Sequence, residues 1–318
     1  MRIDIDGWGP GYGTGGDPAG AGNGAESSAP LDPEVERPST DWQPLHPPAD
    51  VRAPGTVLLV DGIRRLDASA WVTSDDGVTH RALAASYAAG VVRCDLRGGA
   101  AEVATYQVER GLFTASPDAT DLVTRAGRYI ARRVANDDKV ESGLQAQMDA
   151  LEVAVATRAR GAADDLLIVD GPLRSGRTQL SDTLGYVKTH PVPYLPAPLS
   201  AVVAALGAGE RTPIFGMGTK WPRFAWYLRL PGPRGGPWAG IVRVECSRQL
   251  TIAAAVALAD LSAVTLPRFA STAYKDPRAP QNLVPIAGLE RRLRTLLGDP
   301  RLMHRCLVQA TRLASVPA

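Results

Sequence analysis

The stretches TVLLVDG (residues 56–62) and DLLIVDG (165–171) decide the fold. Each is a short, uninterrupted apolar run closed by Asp-Gly, the pattern of a strand buried on both faces that ends in a turn. Strands of that kind belong in a layered α/β domain with helices on the sheet. Segments near 65–74, 90–97 and 102–110 follow the first run at hairpin spacing and predict a meander. The stretches 118–136 and 138–160 read as two helices, each opened by an Asp that can cap it. After the second run come predicted strands near 184–189, 212–215, 223–230 and 238–245, a helix at 199–206, and closing helices near 248–264, 286–297 and 301–315. The expected fold class is therefore α/β, a mixed sheet flanked by helices.

The 318 residues are 45% hydrophobic and 21% charged, enough apolar material for a packed core and too mixed for a wholly disordered, collagen-like or coiled-coil chain. No apolar stretch reaches the length of a membrane span. The nearest, 250–266, is interrupted by Thr251, Asp260, Ser262 and Thr265. With no basic-then-apolar leader either, a cytoplasmic location and no membrane partner are expected. Cys94, Cys246 and Cys306 are odd in number and far apart, which predicts buried, reduced thiols rather than a disulfide or zinc framework.

Residues 1–50 are Gly- and Pro-rich, hold nine acidic and two basic side chains, and show no apolar period. They read as a disordered leader preceding a single folded domain over 51–318, with Trp8 and Trp42 as residues able to dock. Of the 35 basic and 33 acidic side chains, residues 51–318 keep 33 and 24. That surplus suits a polyanionic partner such as DNA.

If the two Asp-Gly strands lie side by side, Asp61 and Asp170 meet at the sheet rim. Adjacent carboxylates repel unless a cation stands between them, and hard oxygen ligands suit Mg²⁺ or Mn²⁺. A third acid comes from the helix before the second strand. In QMDALEVAVATRA, Met148, Leu151, Val155 and Ala159 mark the core stripe, with Glu152 at its edge. LGYVKTH predicts a short strand with Tyr186 and Lys188 at the rim, where Lys188 can offset phosphate charge, and His190 in a loop. Arg278, Arg291, Arg292 and Arg294 are candidates for tracking a phosphate backbone.

This succession of Asp-Gly strand, meander, acidic helix, second Asp-Gly strand, GYVKTH and KDPRAPQNLVPIAGLERRL resembles the NurA nucleases over about residues 56–315. The resemblance implies an RNase H-like core and a Mn²⁺- or Mg²⁺-dependent DNase in DNA end processing. It also implies metal ligands Asp61, Glu152 and Asp170, with Lys188 and Tyr186 steadying the phosphate. Its expected partners are DNA, a HerA-type hexameric ATPase and a second copy in a homodimer. The family's C-terminal histidine has no match here, which leaves Tyr274, Asp276 and His304 as alternatives for the fourth ligand. The competing expectation is a catalytically weak DNA- or ATPase-binding module that retains the fold. A third motif, GPLRSGRT (171–178), fits the phosphate-loop pattern except for Arg177 in place of Lys, but TQLSDTLG is too short for the helix such a loop needs.

Overall fold

The computed structural model describes residues 30–161, 165–180, 182–190, 194–232 and 235–314. In chain order the elements are β1 (Leu31–Asp32), β2 (Thr56–Thr73), β3 (Thr79–Asp95), β4 (Ala100–Thr114), β5 (Leu122–Thr124), β6 (Gly127–Arg133), α1 (Val140–Ala159), β7 (Leu166–Asp170), β8 (Thr183–Val187), α2 (Ala197–Ala205), β9 (Phe215–Met217), β10 (Arg223–Arg229), β11 (Ile241–Ser247), α3 (Ile252–Thr265), α4 (Val284–Leu296) and α5 (Pro300–Ala314). The strands hydrogen-bond in the order β1-β9-β10-β11-β8-β7-β2-β3-β4-β6-β5. The sheet is mixed: β7 runs parallel to β8 and β4 parallel to β6, while β10 is antiparallel to β11. The α/β class read from the sequence is what the chain forms.

The chain divides into two compact units. One takes the residues up to Leu59, Arg93–Glu102 and Arg160–Ala287; the other takes Val60–Val92, Val103–Ala159 and Gly288 onward. In the first unit, Leu166–Val169 of β7 are fully buried, as a central strand requires. Its apolar core gathers Trp42, Leu199, Val203, Phe215, Tyr227 and Ile241. The stretch Ile252–Phe269 is long and apolar enough to cross a membrane by length and composition, and half of it is buried within the protein.

Order begins earlier than the predicted leader allows. Among residues 30–50, β1 pairs with β9, Leu45 bridges to Arg211, and Trp42 is buried with its indole N–H donating to the Pro33 carbonyl. Glu36 explains the anchoring: both of its oxygens accept from Arg211, a buried guanidinium that also donates to Asp260. Residues 1–29, with Trp8, lie outside the described residues.

The second unit departs from the sequence reading at 118–136. These residues form β5 and β6, not a helix. Gly127 holds φ 138°, a conformation favouring glycine, and turns the chain so that Leu122–Thr124 pair antiparallel with Gly127–Tyr129. Tyr129 is then buried with its hydroxyl donating to Asp67. The expected helix over 138–160 is present as α1. All three cysteines are buried and free, as expected.

Candidate functional site

In the second unit the site is built from β2 and α4. Asp61 is buried about a third of the way along β2, which runs on to Thr73 instead of ending in a turn at Asp-Gly, and its Oδ1 accepts the Gly62 N–H at 2.8 Å. Two contacts place α4. A Cβ on Gly90 of β3 would stand 3.0 Å from Leu289 Cδ1 and 3.3 Å from Leu293 Cδ2, so the missing side chain is what lets the helix settle on the strand. Arg65 of β2 then donates to the carbonyls of Leu297 and Gly298 at 3.2 and 2.6 Å, capping α4 at its C-terminal end. Glu290 consequently falls in the buried stripe of Leu289, Leu293 and Leu297. Asp61 and Glu290 each offer an oxygen within 4.8 Å of the other. Two unit charges so close repel by about 3.5 kcal/mol at an effective dielectric near 20, a repulsion that a cation between them turns into attraction.

Glu152 is buried on α1, deeper than a stripe edge, at 2% exposure. Its Oε1 lies so close to Gly62 that an added Cβ would stand 2.5 Å away. Any side chain after Asp61 would make this carboxylate shift. Among the described residues, the acids that could share an ion do not include it.

In the first unit Asp170 closes β7 and Gly171 turns the chain away at φ 111°. Gly171 N–H donates to the Tyr186 carbonyl at 2.8 Å, and Leu173 N–H donates to the fully buried Glu245, which is paired with Arg223 and Arg243. The Asp170 turn is thus pinned to a buried charge network. Lys188 Nζ donates to Asp170 at 2.6 Å and to Asn282 Oδ1 at 3.1 Å. Asn282 in turn donates to Asp276 at 2.6 Å. The relay Asp276, Asn282, Lys188, Asp170 fixes the ammonium beside the carboxylate.

Several expected site residues sit elsewhere. Tyr186 is not at the rim but in the core, its hydroxyl donating to the Gln281 carbonyl at 2.6 Å; burial pushes its pKa well above the usual phenol value. Tyr274 is 82% exposed, Asp276 is engaged by Asn282, and His304 Nδ1 meets the Asp67 carbonyl at 3.1 Å. His190 lies in the loop after β8, as expected, and is buried there against Tyr227 and Trp238. Arg278 is held near Asp276, whereas Arg291, Arg292 and Arg294 are exposed on α4. The stretch Ser175–Gln179 is a single 3-10 turn, and Arg177 bends back to the Pro172 carbonyl, so the phosphate-loop pattern has no helix behind it. Sequence reading missed Glu290 and Asn282. The signal for Glu290 was present, as a lone acid in phase with Ile286, Leu293 and Leu297.

No family of known proteins matches the sequence, and neither does any curated protein. Among solved structures, endonuclease V of Bacillus subtilis is similar at 14% identity and a TM-score of 0.35, over 80% of this chain and 84% of its own. The catalytic domain of human endonuclease V is similar at 16% identity and a TM-score of 0.32, over 76% of this chain and 84% of its own. At such values the functional reading rests on the chain's own residues.

Proposed function

We propose that the chain is a divalent-metal-dependent deoxyribonuclease of the NurA type, acting in DNA end processing through an RNase H-like core. The observation that carries this reading is the Asp61 and Glu290 carboxylates, each offering an oxygen within 4.8 Å of the other; the NurA resemblance adds Asp170 as a ligand. The donors fit Mn²⁺ or Mg²⁺, being hard oxygens without Cys or His, and the Gly62 recess gives the Glu152 carboxylate a place beside Asp61. When bound, such an ion supplies Lewis-acid polarisation of a phosphoryl oxygen.

The protein's own groups do the rest. Lys188 aims Asp170, Asn282 orients Lys188, and Glu152 packs over Gly62 next to Asp61. The basic surplus of residues 51–318 draws the polyanion in. Glu290 takes the ligand role that the sequence reading gave to Glu152. The NurA resemblance adds a HerA-type ATPase ring and a second copy of the chain as proposed partners.

The test is digestion of linear DNA with Mn²⁺ by the wild type and by Asp170→Asn. Cleavage by the wild type, reduced at least 100-fold in the variant, is the expected result. DNA binding without cleavage by the wild type would replace this reading with a binding module that retains the fold.

A further inference from the structure

Beyond the acids, the second unit holds a cationic cavity whose position along the same two elements is informative. β2 carries Asp61 and, three residues on, Arg64; α4 carries Glu290 and, four residues on, Arg294. The two bases thus stand about 10 Å along the strand and about 6 Å along the helix from those acids, with Arg64 on the strand face opposite Asp61. At the basic end a cavity of about 530 Å³ is lined by Arg64, Arg65 and Arg294 with Ile63, Leu297 and Pro300.

The three guanidiniums are not equivalent. Arg65 is committed: its Nε donates to Asp67 at 2.8 Å and its other nitrogens to the last carbonyls of α4. That commitment matters, because a helix C-terminus otherwise repels an anion, and Arg65 offsets it. Asp299, the nearest further acid in the chain, turns its Oδ1 to the Leu302 N–H at the start of α5. Arg64 is exposed and has no hydrogen-bond or ion-pair partner among the described residues. Arg294 is also exposed, its guanidinium 3.7 Å from Glu290. Two forked donors therefore face a cavity with an apolar wall and a neutralised helix end, an arrangement suited to a phosphodiester and its sugar.

We propose that this cavity is a nucleic-acid subsite in which Arg64 and Arg294 grip one backbone phosphate of the strand being cut. The offset of about 6 to 10 Å puts this phosphate within a few nucleotides of the one at the carboxylates. The subsite rests on the nuclease reading above and adds a minimum substrate length to it. The volume lies within the range of small-ligand pockets and admits a nucleotide unit.

The test uses the full chain in EDTA, where cleavage is off, with labelled oligothymidylates of two to ten nucleotides read by fluorescence anisotropy over a salt series. The wild type gains affinity on lengthening from two nucleotides to about five; Arg64→Ala/Arg294→Ala loses that gain, about tenfold, and its salt slope falls by about 0.7, the value for one single-strand phosphate. Arg64→Lys/Arg294→Lys, which keeps the charge, recovers the slope but not the full affinity, because the fork is gone; this variant also separates lost contacts from lost folding. If the wild type binds and cleaves DNA while the double Ala variant shows the same length dependence and slope, the subsite is refuted and the nuclease reading stands. If the wild type neither binds nor cleaves, both fall.

Discussion

Gly62 shows how a single missing side chain shapes the site. Gly62→Ala would drive a methyl to within 2.5 Å of Glu152 Oε1, so the buried carboxylate must swing away or the backbone after Asp61 must retreat. Overpacking of this kind costs about 1–3 kcal/mol. The expected outcome is a lower urea midpoint together with about tenfold weaker Mn²⁺ binding by calorimetric titration; unchanged metal binding would disconnect Glu152 from the site. His190 gives a second residue-scale prediction. Burial first, and Arg243 second, push its pKa down from 6.5 to about 3. Between those values the unfolded chain holds a proton that the folded chain rejects, so stability is complete above pH 6.5 and is lost as pH falls toward 3, by about 1.4 kcal/mol per unit. His190→Phe keeps an aromatic ring against Tyr227 and Trp238 and removes the titration. Urea unfolding at pH 5 and pH 7 should show a His190-dependent difference of about 2 kcal/mol that the variant lacks; an equal difference in both proteins would place the imidazole in a wetter setting.

Among the elements, the segment before β2 behaves as a strap, not a leader. Glu36 meets Arg211 far along the chain, and Arg211 also holds Asp260 of α3. Removing one partner of a buried charge group strands the others, so Glu36→Ala should destabilise the protein by about 3 kcal/mol in chemical unfolding, more than an exposed Glu→Ala, which costs well under 1 kcal/mol. A change of that smaller size would show the strap to be only draped. This anchoring was illegible in sequence because Glu36 stands among prolines with no apolar period, and its partners are 175 and more residues away. The helices and buried strands were legible for the opposite reason, since continuous apolar runs at 57–60 and 166–169 and the period of α1 are local signals. The region 118–136 deceived because Asp118 and Asp121 resemble helix-starting acids. In the structure Asp121 instead accepts from Ala131 N–H at 2.7 Å and from Arg128, tying the hairpin of β5 and β6. Tertiary pairing with β4 then outweighs the weak helical preference of Val, Thr, Tyr and Ile.

For the molecule as a whole, the two near-identical Asp-Gly strands pointed to a carboxylate site, and the positive balance of residues 51–318 pointed to a polyanion. Glu290 was legible only from its phase with Ile286, Leu293 and Leu297, a signal that the arginines around it on the helix overshadow. The sequence did not show that Tyr186 is buried, since a strand covered on both faces offers no alternation to read. The central claim is that Asp61 and Glu290 serve one cation. Mn²⁺ titration followed by electron paramagnetic resonance, on the wild type, on Asp61→Asn and on Glu290→Gln, tests it most directly. The account predicts one tight site in the wild type and at least tenfold weaker binding in each variant; wild-type affinity in either variant would contradict it.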